Sequence, residues 1–171
     1  RELGLYAEAD DDDEVRRLRA DRAAIEDYQR RFRDARSARL FPLIPAAGLL
    51  DEQAITVDAD TLASALTEPV SRVLLVGASG DGKTHAAQHA ALRLTQQGRL
   101  VVWVSADDYT KNDFGVLIKR AVSPYSTESA WTLLRKAADS GVGITVVIDA
   151  LQASAHRDEL LTQLNALLLQ M

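Results

Sequence analysis

The chain contains no cysteine, which excludes disulfide cross-links and thiolate metal centres. Histidine is scarce as well: His85, His89 and His156 are the only three. His85 and His89 stand one helical turn apart. Three scattered imidazoles do not read as a zinc cluster, so packed or exposed side chains are expected there. No uninterrupted apolar run approaches the about 18 residues needed to span a membrane, and no signal-peptide pattern opens the chain. The expectation is a cytoplasmic protein without membrane contact. Basic charge is in deficit, with a net charge of −5, which argues against a dedicated nucleic-acid surface.

What is present suits one ordinary domain with an extension: 171 residues, of which 47% are apolar. The chain opens at Arg1 and closes on an apolar helical pattern that runs to Met171. Both ends read as cuts within a longer polypeptide.

Residues 77–84 read GASGDGKT, an unbroken match to G-x-x-x-x-G-K-[ST]. The context fits the motif. Residues 72–76 (RVLLV) have the composition and length of a strand, and residues 83–97 form an Ala-rich helical pattern that stops at Gly98. Gly77, Gly80 and Gly82 lack a Cβ, so their backbone can adopt unusual torsions and approach an anion closely. The N–H groups of Gly77, Ala78, Ser79, Gly80, Asp81, Gly82, Lys83, Thr84 and His85 then make a phosphate cradle at a helix N-terminus. In that role Lys83 neutralises the β- and γ-phosphates, and the Thr84 hydroxyl is a Mg²⁺ ligand. A nucleoside triphosphate is the expected ligand.

Three regions follow from the pattern. Residues 1–39 lack Gly and Pro after the acidic run at 10–14, which is expected to lie at the positive end of a helix. Leu18, Ile25 and Phe32 recur every seven residues, with Tyr28 and Ala35 between them, predicting a long helix with a narrow apolar seam. Arg30, Arg31, Arg33, Arg36 and Arg39 could touch phosphate, but interspersed Asp27 and Asp34 favour a solvated helix face. This region reads as a helical connector from a preceding domain. In residues 40–70, Pro42, Pro45 and Gly48 predict a loop, residues 54–57 a short strand, and Asp60 the N-cap of a short helix ended by Pro69. Adenine contacts are expected somewhere in this region. Residues 71–171 alternate: strands at 72–76, 100–105 (LVVWVS) and 144–149 (ITVVID), with helices at 83–97, 113–122, 127–140 and from 157. Strands apolar at every position imply a parallel sheet covered on both faces.

Asp149 ends the last of these strands. At the carboxyl end of a strand neighbouring a phosphate loop, a carboxylate completes the Mg²⁺ shell opposite the loop's Thr. The motif DALQAS at 149–154, followed by RDELL at 157–161, resembles bacterial NACHT-type members of the STAND class of signal-transduction ATPases. VVWVSAD at 101–107 and SPYS at 123–126 are similar too, so the resemblance spans about residues 72–170.

The resemblance implies a three-layer α/β/α P-loop NTPase fold, preceded by the long helix, with a sheet left incomplete by a strand that would follow Met171. It also implies an ATP/ADP switch acting with Mg²⁺, through Lys83, Thr84 and Asp149, on the chain's own flanking effector and sensor domains. Oligomerisation upon activation follows from it, as does a role in antiphage defence. One departure bears on turnover. Where the family has an acidic residue that positions or deprotonates the attacking water, this chain has Gln152 and Ala153. Asp107 and Asp108, after the second strand, are read as loop caps with a weaker claim to substitute. Two other classes stay open: a kinase or AAA+ enzyme, and an ATP-binding scaffold that does not hydrolyse. A kinase lid would need several arginines, and residues 106–143 offer Lys111, Lys119, Arg120, Arg135 and Lys136.

Overall fold

A computed structural model describes residues 3–38, 40, 46–50, 53–67, 73–76, 78, 80–111 and 113–170. The order of elements is α1 (Leu3–Ser37), β1 (Ala46–Leu50), β2 (Gln53–Val57), α2 (Ala59–Ala65), α3 (Lys83–Gln96), β3 (Leu100–Ser105), α4 (Phe114–Val122), α5 (Ala130–Asp139), β4 (Ile144–Asp149) and α6 (Arg157–Gln170). Short 3₁₀ turns follow β3 at Ala106–Asp108 and β4 at Leu151–Ala153. Among the described residues the fold is mixed α/β, with six α-helices, a parallel pair β3–β4 and an antiparallel pair β1–β2.

β3 and β4 run in register from Leu100↔Ile144 to Ser105↔Asp149. Successive strand side chains point to opposite faces, yet Leu100, Val101, Val102, Trp103 and Val104 are all buried. Both faces of β3 are therefore covered, as the sequence pattern requires. β4 is half-buried apart from Thr145. The cover comes from α1, α3, α4 and α5, which supply Ile25, Phe32, Leu94, Ile118, Val122 and Leu133 to one core with β3.

Burial of α1 in this core includes a polar bond to β3. Leu100 donates its N–H to Gly143 on the β4 side, so the peptide groups of Val101 face the other edge of β3. There the Tyr28 hydroxyl donates to the Val101 carbonyl at 2.8 Å. Burial pushes the Tyr28 phenol far above its usual titration range, with the nearby Tyr125 adding to the shift, so it stays a donor. Phe32, Tyr28 and Tyr125 pack edge-on and stacked around it at 5.3–6.1 Å. Gln29 Nε2 adds bonds to the carbonyls of Gly98 and Arg99. Farther along the helix, Lys136 of α5 bridges Asp21 of α1 at 3.1 Å and Glu128 at 2.6 Å. The Glu128 and Asp21 carboxylates raise the Lys136 pKa above its ordinary value.

Several expectations are corrected. Residues 73–76 pair with no strand among the described residues. Val73 and Leu75 pack against Leu62, Ala86 and Ala90, while Leu74 and Val76 are 74% and 84% exposed. The alternation is strand-like, but a strand also needs a hydrogen-bonded neighbour. Arg72 lies outside the described residues. The expected loop at Gly48 is instead β1, hydrogen-bonded to β2 from Ala46↔Val57 to Leu50↔Gln53; Pro42, Pro45 and Pro69 lie outside the described residues.

The N-cap of α2 is Asp58, not Asp60: its carboxylate accepts from Thr61 N–H at 2.7 Å from an extended backbone. That bond holds the Asp58 carboxyl below its ordinary range. Asp60 sits in the first turn and pairs with Arg93 at 2.7 Å. α5 begins at Ala130, capped by Ser129, because Thr127 and Glu128 form a bend. The acidic run at 10–14 lies inside α1, which begins at Leu3, and Asp12 and Asp13 pair with Arg16. In the apolar seam, Ile25, Tyr28 and Phe32 are buried, but Ala35 is exposed.

Tyr28→Phe leaves a buried carbonyl without its donor. It is expected to lower unfolding free energy by about 1–3 kcal/mol in a urea titration. An unchanged midpoint would show that the edge of β3 does not depend on this bond.

Candidate functional site

The described part of the glycine loop turns through the left-handed region twice, at Gly80 (φ +91°) and Gly82 (φ +78°). A Cβ at either position would meet nothing within 4 Å. Glycine is therefore called for by torsion and not by crowding, and the loop stands open on that side. Between them the Asp81 N–H donates to the Ala78 carbonyl at 3.3 Å. Gly77 and Ser79 lie outside the described residues.

Gly82 is the N-cap of α3, and no side chain caps the helix there. The first turn of a 14-residue helix consequently presents its amide end and positive dipole at the loop. Lys83 opens this helix and curls back across the loop, with Nζ donating to the Ala78 carbonyl at 2.6 Å. The ammonium is thereby held over the turn, where an incoming phosphate oxygen could take the place of the carbonyl. His85 lies on the next part of the helix, its ring set against that of His89.

Thr84 and Asp149 are 65 residues apart in sequence, yet the Thr84 hydroxyl donates to Asp149 Oδ1 at 2.7 Å. The in-register strands bring Asp149 level with Ser105, at the carboxyl edge of β3 and β4. α3 packs against both strands and carries Thr84 to that edge. The same Oδ1 accepts from the Ala150 N–H at 3.0 Å. Ala150 itself is left-handed, at φ +58°, and is the sole non-glycine residue of that kind among those described. The carboxylate is thus fixed by a tight turn from β4 into Leu151–Ala153.

This pair fits a small, hard cation. Neighbouring oxygens in an octahedral Mg²⁺ shell of 2.0–2.1 Å radius lie about 2.9 Å apart, close to the Thr84–Asp149 separation of 2.7 Å. No group of three or more His, Cys, Asp or Glu that could hold a metal occurs among the described residues. A two-ligand protein contribution suits Mg²⁺, which keeps waters and takes phosphate oxygens, better than a metal needing a full protein cage.

The other polar candidates are placed differently. Gln152 and Ala153 are exposed on the 3₁₀ turn after Asp149. Asp107 and Asp108 are exposed on the matching turn after β3, and the two turns touch. Arg30, Arg31, Arg33 and Arg36 of α1 each contact another residue of the protein. Arg30 and Arg31 pair with Asp27, whose carboxyl is held below its ordinary range chiefly by the Arg30 hydrogen bond. Arg33 donates to the Thr95 carbonyl at 3.2 Å, and Arg36 lies 4.6 Å over the Trp103 ring. Arg39 lies outside the described residues.

Sequence reasoning missed two features of the edge. One is the left-handed turn at Ala150, which the strand-ending Asp alone does not signal. The other is the Tyr109 hydroxyl donating to Glu159 Oε1 at 2.9 Å, with His156 against the Tyr109 ring. That contact ties α6 to the loop after β3 across 50 residues of sequence, so no local pattern could have given it.

Ala150→Gly removes a left-handed alanine that costs about 1–2 kcal/mol, offset by about 0.4–1 kcal/mol of unfolded-chain entropy. A net stabilisation of about 0.5–1 kcal/mol is expected in denaturant unfolding. A destabilised variant would mean that the alanine methyl has a packing role outweighing the strain. No protein-family model, curated protein or solved structure matches the chain, so the reading of this site rests on its own residues and their geometry.

Proposed function

We propose that the chain binds a Mg²⁺–nucleoside triphosphate, ATP in the first instance, as the nucleotide-binding module of a STAND/NACHT-type switch. The observation that carries this reading is the Thr84–Asp149 contact at 2.7 Å, made between the end of a G-x-x-x-x-G-K-T loop and the end of an apolar strand. What supports the reading is that two motifs 65 residues apart in sequence meet at one edge.

In this reading the loop and the uncapped start of α3 bind the β- and γ-phosphates through backbone N–H groups. Lys83 exchanges its Ala78 carbonyl for phosphate oxygens and neutralises part of their charge. Thr84 and Asp149 would hold Mg²⁺, which would offset the negative charge of the phosphates. A three-layer P-loop sheet, flanking effector and sensor domains and activation-linked oligomerisation are further parts of the proposal.

Slow turnover is the expected corollary. A water-activating carboxylate is missing where Gln152 and Ala153 stand, and both are exposed. That observation also favours a second reading, a scaffold that binds ATP without hydrolysing it. A motor or kinase requires catalytic groups for which the described edge offers only exposed Asp107 and Asp108.

Equilibrium nucleotide binding tests the site. Lys83→Ala is expected to weaken ATP binding at least about tenfold, the loss of a charge-assisted hydrogen bond worth about 1.5–3 kcal/mol. Asp149→Ala should abolish the Mg²⁺ dependence of binding. ATP affinity and Mg²⁺ dependence unchanged in both variants would remove the assignment. Multiple-turnover phosphate release by the wild-type chain would exclude the scaffold reading.

A further inference from the structure

His85 and His89 occupy positions i and i+4 of α3, where side chains are neighbours on one helix face. Their rings meet edge to face, centroids 4.7 Å apart, and the two Nε2 atoms stand 3.3 Å from each other. That separation has two chemical meanings. It is the length of an N–H···N hydrogen bond between two neutral imidazoles. It is also the distance between two ligands of one tetrahedral metal: nitrogens about 2.0–2.1 Å from the ion at a tetrahedral angle lie about 3.3–3.4 Å apart.

We propose that His85 and His89 form a bidentate imidazole site for a tetrahedral divalent metal, Zn²⁺ in the first instance. Both nitrogens already stand at the ligand–ligand distance, so the backbone need not move. The platform is firm, because Ala86, Ala90, Ala91 and Leu94 anchor α3 in the core between and beyond the two rings. In a chain without cysteine, imidazole is the softest strong ligand available, and His156 is the sole other one. Water or another small ligand fills the remaining positions.

The site is distinct in chemistry from the Thr84–Asp149 pair one residue away. Oxygen ligands there suit Mg²⁺, whereas two imidazoles discriminate against it in favour of borderline metals. A metal across His85 and His89 staples the first two turns of α3, the helix that carries Lys83 and Thr84 into the loop. Nucleotide binding is not required for the site to exist, so its failure and that of the nucleotide reading are separable.

The test is calorimetric titration of the full chain, carrying no polyhistidine tag, with Zn²⁺. One ion per chain is expected to bind, in the presence of excess Mg²⁺, and to raise the melting temperature. His85→Ala and His89→Ala should each weaken binding roughly a hundredfold, because the second ligand acts at high effective concentration. His156→Ala should leave it unchanged.

No saturable binding by the wild-type chain, or binding that survives both substitutions, would overturn the proposal and leave the pair as a hydrogen bond only. Should circular dichroism show either variant unfolded, the wild-type chain still decides. Zn²⁺ should protect His85 and His89, but not His156, from diethylpyrocarbonate as read by mass spectrometry. Equal labelling of all three with and without Zn²⁺ would refute the site.

Discussion

Parallel strands have no tight turn to hold them together, so their ladder lasts only where water is kept from both faces. The pairing of β3 with β4 is the constraint from which the rest of this structure follows. Every residue of β3 from Leu100 to Val104 is buried, and that needs helices on both sides. α3, α4 and α5 come from the connections of the α/β alternation itself. α1 comes from outside it, bringing Ile25, Tyr28 and Phe32 to the core and a hydroxyl to an otherwise unpaired carbonyl of β3. Residues 25–32 are thus part of the α/β core's packing and not merely a lead-in to it.

The same pairing builds the candidate site. Because the strands align without offset, their carboxyl ends finish level at Ser105 and Asp149. The two 3₁₀ turns that follow then meet, and Asp149 is presented at the edge that Thr84 reaches from the start of α3. Shifting β4 by one residue would turn the carboxylate to the other face of the sheet and break the contact.

Legibility in the sequence tracked how local each determinant is. β3 and β4 match the sequence pattern at both ends, since Val- and Ile-rich apolar runs bounded by Gly98, Gly143 and Asp149 leave few alternatives. α3 was clear from its Ala-rich pattern and the stop at Gly98, which is left-handed. The Thr84–Asp149 contact was foreseeable because the loop motif specifies its partner chemistry. Pairing was harder. Residues 73–76 have the right alternation, with Val73 and Leu75 inward, but whether a ladder forms depends on neighbours far away in sequence. Gly48 points to a loop where β1 forms opposite β2; glycine weakens a strand without forbidding one. Composition points to Asp60 as the cap of α2, but it is Asp58, two residues earlier, that has the extended backbone a cap needs. The Tyr109–Glu159 bond and the left-handed Ala150 had no local signature at all.

In the proposed reading the loop and Asp149 together make one Mg²⁺–nucleotide site. Isothermal titration of the chain with ATP, with and without Mg²⁺, tests it most directly. One saturable site per chain, with affinity that rises when Mg²⁺ is added, is the predicted result. Absence of binding up to millimolar ATP in the presence of Mg²⁺ would contradict the account.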